Sequence, residues 1–345
     1  MTGELHQATG ELPNQGIYSN LGPGAHQCWY PVALSSELPK AKSVGLDLGD
    51  GRIVVYRGED GKLRAVSAYC RHMGADLSVG GEVIGNNIRC PYHHWAFGEG
   101  GKCQNIPSGD RIPRGSSLAN LPVDEQHGLI WVFFGDKPLY DIPMFGDFDN
   151  TQHVYRACEM KLAEKLQVEP WIFSTNVFDA VHLRLLHGLD FVGSDLKELS
   201  PYHRRLTMHA ADLGGKGTGG TWHVEVDVLG INCVRTKGEM DGRLKWYIAA
   251  QTPCGRQGTR TFLSIITTKG EGGADAFFDR AEAMHTRLVN EDIPILNNMR
   301  YGNLRLVHAD LAMGRFIRAA RKYPRTTLDA LETAANGTEQ RQDCA

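Results

Sequence analysis

Cys70-Arg71-His72 and Cys90-Pro91-Tyr92-His93, with the seventeen residues 73–89 between them and Trp95 just beyond, decide how this chain is read. Each half carries one thiolate and one imidazole donor. Structural zinc sites usually pair Cys with Cys and His with His, so the order argues against zinc. Gly74, Gly80, Gly81 and Gly85 between the pairs, and Gly98, Gly100 and Gly101 after them, suit tight turns beside a cofactor. Pro91 stiffens the second loop.

Cys-x-His with Cys-x-x-His is the ligand pattern of a Rieske [2Fe–2S] centre, in which two thiolates hold one iron and two imidazoles the other. Cys70, His72, Cys90 and His93 therefore belong on two loops that close over the cluster from opposite sides. Exchanging two anionic ligands for neutral ones lowers the charge on the cluster and raises its potential. Such a centre is a relay, and it needs an acceptor.

At 345 residues the chain is too long for one small cluster-binding module, and about 100 to 200 residues per domain implies two domains. Hydrophobic content of 41% and charged content of 22% are those of an ordinary globular protein. A net charge of -3 without a dense Lys/Arg run argues against nucleic acid as a partner. No apolar run approaches the length of a membrane span, Leu129 to Phe134 being strand-sized, and residues 1–10 lack signal-peptide architecture. The expectation is a cytoplasmic protein with no stable membrane insertion. Cys28, Cys103, Cys158, Cys233, Cys254 and Cys344 are spread without a disulfide-like framework. Cys103, near the second cluster loop, reads as a plain buried thiol.

Residues 1–26 read as a polar arm. Val44 to Leu48, Arg52 to Arg57 and Lys62 to Ala68 read as strands joined by Gly-Asp-Gly and Glu-Asp-Gly turns, followed by further strands around Leu118 to Val123 and Gly128 to Phe134. Residues 136–150, with Pro138 and Pro143, read as a linker. After a strand to Met160, Trp171 to Leu186 reads as a helix with Pro170 at its start and Gly188 at its stop. Alternation over about 204–268 predicts a sheet, including Thr221 to Val228, Lys245 to Ala250 and Thr261 to Thr268. Ala274 to Tyr301 is the strongest helix signal, followed by a basic, partly helical tail around Gly314 to Arg325.

The first of these helices holds a second constellation, Asn176-x-x-Asp179-x-x-His182-x-x-x-x-His187. Two His and a carboxylate from elsewhere would form the facial triad of a non-haem Fe(II) site, which leaves adjacent positions open. Five residues span about 140° of an ideal helix, so a regular one cannot aim both His at one metal. The helix must be distorted or end here. Asp179 and His182 share a face, and the Asp179 carboxylate can hydrogen-bond the imidazole of His182. For the third ligand Asp292 is favoured over Glu291. On period 3.6 it lies with Leu288, Ile295, Leu296 and Met299 on the inward face, while Glu291 falls nearer the flank. A solvated face is the ordinary explanation for either acid, but an acid on an apolar stripe favours a ligand.

At these residues the chain resembles the α-subunits of Rieske non-haem iron oxygenases, from about Cys28 to Tyr301. The runs Tyr69 to Ser78, Gly101 to Pro107, Asn176 to His187 and Asp292-Ile293-x-Ile295 are similar in wording to the oxygenase component of 3-ketosteroid 9α-hydroxylases. His94 stands where many members have Gly. The resemblance implies an α+β protein: an arm over 1–26, a Rieske β domain over 27–140, and a helix-grip (START-like) antiparallel-sheet catalytic domain with C-terminal helices over 141–345. It implies a [2Fe–2S] cluster, mononuclear Fe(II) and O2 as co-substrate, and a homotrimer packed head to tail. In that packing Asp179 bridges His182 to the neighbour's cluster ligand His93. The implied partner is an NAD(P)H-dependent flavin and iron–sulfur reductase, directly or via a ferredoxin. The expected reaction is hydroxylation of a small apolar ring substrate, with demethylation or desaturation open to the same iron. A pure electron carrier and a lipid-binding module without turnover are the readings from other classes.

Overall fold

A computed structural model describes residues 23–212, 222–240, 242–270, 273–300 and 304–337, so most of the expected N-terminal arm lies outside the described residues. Strands dominate the first part. Trp29–Leu34 (β2) follows a two-residue strand Ala25–His26 (β1), and Lys42–Leu48 (β3), Gly51–Arg57 (β4) and Leu63–Ser67 (β5) form a meander. Three-residue strands Glu82–Ile84 (β6), Asn87–Arg89 (β7) and Cys103–Asn105 (β9), with Ala96–Phe97 (β8), carry the loops that hold the quoted motif. Asn120–Leu121 (β10), Val123–Gln126 (β11) and Leu129–Phe133 (β12) complete this part. Pro122, which has no N–H to give a ladder, separates the first two. Three antiparallel sheets result, in the orders β10-β5-β4-β3, β11-β12-β2 and β6-β7-β8-β9.

The second part is one antiparallel sheet of seven strands. Its strands are His153–Glu159 (β13), Asp190–Ser200 (β14), His203–Asp212 (β15), Trp222–Leu229 (β16), Cys233–Met240 (β17), Arg243–Pro253 (β18) and Thr259–Thr268 (β19). The order is β13-β19-β18-β17-β16-β15-β14, so the segment between β13 and β14 must travel from one edge of the sheet to the other. That segment carries Pro170–Thr175 (α1) and Ala180–Leu185 (α2). After β19 the long helix Asp275–Leu296 (α3) lays Phe277, Phe278, Ala281, Val289, Ile293 and Leu296 into a core shared with the sheet residues Leu206, Val226, Leu263 and Ile265. The α+β class and the antiparallel sheet that grips a helix are thus as expected.

The two parts are fused rather than strung together. Trp29, Trp131 and Phe133 pack with Trp246, Ile248 and Phe262 in one buried cluster, and Phe145 from the expected linker is buried in it. Buried side chains bond across the seam: Asn232 Nδ2 donates to the Trp29 carbonyl at 2.9 Å and Ser264 Oγ to that of His127 at 2.7 Å. The chain's last elements return to the first part. Leu311–Lys322 (α4) leads to Arg325–Thr326 (β20), which pairs with β1, and Leu328–Asn336 (α5) lies against β4. A Cβ at Gly51 would meet Leu328 Cδ2 at 2.4 Å, so glycine is what lets α5 settle. Asn336 at the far end exchanges hydrogen bonds with the backbone of Ser117. Among the described residues no helix is long and apolar enough to cross a membrane.

Candidate iron centres

The two motif loops are built alike. Gly74 N–H donates to the Cys70 carbonyl at 2.8 Å, and His94 N–H to the Cys90 carbonyl at 3.1 Å. Both closing residues take left-handed backbone, φ +73° at Gly74 and +57° at His94. Cys70 and Cys90 are buried side by side, and burial together with the neighbouring Cys90 thiol pushes the Cys70 thiol up. His72 and His93 stand exposed at the loop tips with ring centroids 4.5 Å apart, and Trp95 stacks on His72 at 4.8 Å. Arg52 holds the first loop by donating from Nε to Asp76 at 2.6 Å, and Arg71 pairs with Glu332 of α5. Two inner thiols and two outer imidazoles are the donor set that a Rieske cluster requires.

The expected helix over Trp171 to Leu186 is interrupted. α1 tightens into a 3₁₀ turn at Asn176–Phe178 and stops at Asp179, whose φ of -110° and ψ of 86° are not helical. Asp179 then starts α2 as its N-cap, Oδ1 accepting from the N–H groups of Val181 and His182, both at 3.1 Å. The break at Asp179 precedes both histidines, and the distortion demanded by their five-residue spacing falls at the helix end. There His187 sits in the turn after α2, with Gly188 at φ +69°.

With its carboxylate at the cap, Asp179 meets His182 differently from the expectation. Its backbone carbonyl lies 2.6 Å from His182 Nδ1, while Oδ2 is 3.8 Å away. A carbonyl can only accept, so Nδ1 carries the proton and Nε2 keeps the lone pair. That Nε2 is buried and has no hydrogen-bond partner. His187 Nε2 is 3.1 Å from Asp292 Oδ1, and one donor atom from each of His182, His187 and Asp292 lies within 4.8 Å of the others. An orphaned, inward-facing nitrogen beside an imidazole and a carboxylate fits a ferrous ion. Asn176 also reaches the site, its side-chain amide favouring the charged form of Asp292. Burial pushes the Asp292 carboxyl up, against the pull of His187, His182 and Asn176.

The inward face of α3 differs in detail from the sequence reading. Asp292 is buried, but Ile295 is 48% exposed, and the buried stripe runs instead through His285, Val289, Asp292, Ile293 and Leu296. Glu291 is on the flank, as read, yet it is not idle. Its Oε2 lies 2.7 Å from His187 Nδ1, and Arg287 holds its other oxygen at 2.6 Å. Burial works against the charged form of Glu291, and the hydrogen bonds from His187 and Arg287 outweigh it, so its carboxyl sits below the usual range. The signal for this role was adjacency: consecutive acids on one helix turn can serve opposite edges of the same imidazole.

Paired Cys/His loops on small sheets mark a Rieske [2Fe-2S] domain, and they are joined to a seven-stranded sheet that grips a helix beside two histidines and an aspartate. Residues 28–122 match the family model of the Rieske [2Fe-2S] domain. The chain is 37% identical over 190 residues to cholesterol 7-desaturase nvd of Bombyx mori, covering 53% of this chain and 40% of that protein. It is 33% identical over 167 residues to a probable 3-ketosteroid-9-alpha-monooxygenase, oxygenase component, of Rhodococcus rhodochrous, covering 46% of this chain and 40% of that one. The matches thus span less than half the length of these relatives. Dicamba monooxygenase bound to dicamba shares the fold, with a TM-score of 0.63 over 90% of this chain and 98% of that chain at 21% identity.

Proposed function

We propose that the chain is the terminal oxygenase component of a multicomponent system, and that it hydroxylates an apolar ring substrate, steroid-like or otherwise polycyclic or aromatic. The observation that carries this reading is the buried, unpartnered Nε2 of His182 beside His187 and Asp292. On this reading 27–140 is the Rieske domain and 141–345 the catalytic one, with 1–26 as an arm. Cys70, His72, Cys90 and His93 hold the cluster; His182, His187 and Asp292 hold the iron. When bound, the ferrous ion leaves adjacent positions open for dioxygen and substrate, and the cluster supplies electrons singly.

The chain's own residues do the rest. The Asp179 carbonyl and the Glu291 carboxylate each accept a hydrogen bond from an Nδ1–H, which fixes both imidazoles with Nε2 toward the metal position. Asn176 restrains the Asp292 carboxylate. Burial of His187 and Asp292 keeps water from the ligands' inner side. Electrons come from an NAD(P)H-dependent flavin and iron–sulfur reductase, directly or through a ferredoxin. Exposed Tyr69, Met73, Val79 and Tyr92 surround the cluster tips, and exposed Val181, Leu185 and Leu186 lie along α2. Two apolar rims of this kind support a head-to-tail homotrimer in which Asp179 links His182, held by its backbone carbonyl, to a neighbour's His93, met by its carboxylate.

The names of the relatives include a desaturase as well as monooxygenases, so desaturation or demethylation is the second reading. Which outcome follows depends on the C–H bond held nearest the iron. Iron analysis on Asp292→Ala tests the central point: loss of the mononuclear iron with the low-g cluster EPR signal kept is expected. Unchanged iron content would reduce the protein to an electron carrier. Oxygen uptake with a reductase and NADH across a panel of steroids, terpenes and aromatic acids separates turnover from mere lipid binding.

A further inference from the structure

Among the buried polar groups that the two iron centres do not use is a histidine on the long helix. His285 lies on α3 seven residues before Asp292, two turns away on the same inward face and about 10 Å along the axis. It is 8% exposed, and its Nε2 is buried with no hydrogen-bond partner. Its ring tilts over Tyr247 at 4.2 Å between centroids. Tyr247 pairs across strands with Thr236, whose Oγ1 is likewise buried without a partner. In the same row of the sheet, Leu206, Val226 and Ile265 are apolar and belong to the same core as α3.

A native interior rarely leaves a buried polar atom unsatisfied, because that costs the desolvation of its group. Burial, reinforced by nearby Lys245, holds the His285 imidazole neutral, so one ring nitrogen donates and the other accepts. A hydroxyl group suits either tautomer, since it both donates and accepts.

We propose that His285, with Thr236 next to its neighbour Tyr247, is the polar anchor for the substrate. It takes a hydroxyl or carbonyl oxygen at one end of an otherwise apolar, rigid ring compound whose far end reaches Asp292. The spacing along α3 sets the separation of that oxygen from the oxidised carbon at roughly 8–10 Å, the length of two linked rings or of a fused polycycle. This rests on the oxygenase reading and names its substrate class. His285 is a positioning residue for the substrate's remote end, and it touches no metal ligand in the argument.

The test is binding, read by titration calorimetry on the anaerobic holoprotein, with 4-phenylphenol and biphenyl as a pair that differs by one hydroxyl. The wild-type protein is expected to prefer 4-phenylphenol by about tenfold, the scale of one buried hydrogen bond. In His285→Phe, which keeps a ring against Tyr247, the preference should vanish while biphenyl binds as before. Thr236→Val, a nearly isosteric change, should reduce the preference and covers the case in which His285→Phe does not fold. A preference that survives both substitutions, equal binding of the two probes by the wild type, or binding of neither would overturn the proposal. Cluster EPR and oxygen uptake on the same samples keep the two readings apart. Loss of uptake with the hydroxyl preference intact in the wild type and gone in the variants counts against the oxygenase and not against the anchor.

Discussion

His187 Nδ1 lies 2.7 Å from Oε2 of Glu291, so the residue beside Asp292 grips the outer edge of the imidazole whose inner edge meets Asp292 at 3.1 Å. A carboxylate behind a ligand imidazole fixes its tautomer and raises its basicity. Glu291→Ala is therefore expected to weaken Fe(II) binding roughly 10- to 100-fold, with Glu291→Gln milder because an acceptor remains. Competition dialysis checks this, with the cluster absorbance as internal standard. Unchanged iron affinity in the Ala variant would reduce the contact to a surface hydrogen bond.

Asp179 has two duties that can be pulled apart. Its Oδ1 caps α2, and asparagine caps about as well as aspartate. Asp179→Asn should thus keep the fold and both metals while slowing reoxidation of the reduced cluster by oxygen and substrate. Asp179→Ala should in addition cost about 1 kcal/mol through loss of the cap. Stopped-flow absorbance of the cluster is the readout, and wild-type reoxidation in Asp179→Asn would remove the carboxylate from the electron route.

What was legible in the sequence was what is local. Cys70, His72, Cys90 and His93 declare themselves because each pair sits within one short loop. The end of the helix between residues 182 and 187 could be inferred because no straight helix brings them together, but not the earlier break, which depends on Asp179 turning its carboxylate into a cap. Asp292 was reachable through the phase of α3 alone. The exposure of Ile295 shows that such a phase is good only to about one position, since tertiary packing sets the final rotation. The edge strand β14 escaped notice. Its pairing with β15 shifts register three times, and Asp195, Lys197 and Glu198 blur the alternation, as edge strands tend to do. The return of α5 to the cluster side depends on contacts such as Gly51 with Leu328, some 277 positions apart, which no local pattern announces.

His94 closes the second cluster loop at φ +57°, where the equivalent residue of the first loop is Gly74. A left-handed conformation costs a residue with a Cβ roughly 1–2 kcal/mol, and glycine's greater freedom in the unfolded chain removes about 0.5–1 kcal/mol of the gain. His94→Gly should stabilise the protein by about 0.5–1 kcal/mol. Gly74→Ala should do the reverse. Urea midpoints followed by cluster absorbance decide, and a destabilised His94→Gly would mean that the exposed imidazole makes a contact worth more than the strain.

Asp227, 5% exposed, is the hub of a charged cluster on the sheet of the second part. Burial alone would push its carboxyl up, but His203, Arg205 and Arg235 surround it. Their hydrogen bonds and charges win, leaving it far below the ordinary carboxylate range. A folded pKa below the unfolded one means that the contribution to stability is complete above about pH 4 and is lost as pH falls from there toward the folded value. Below pH 4 the wild type should therefore lose stability steeply, and Asp227→Asn, which has no proton to gain, should show a flatter dependence from a lower starting point at neutral pH. The lower start follows because Arg205 and Arg235 lose their counter-charge. Urea midpoints between pH 7 and pH 3 test both parts, and parallel pH profiles for the two proteins would show that acid sensitivity resides in other carboxylates.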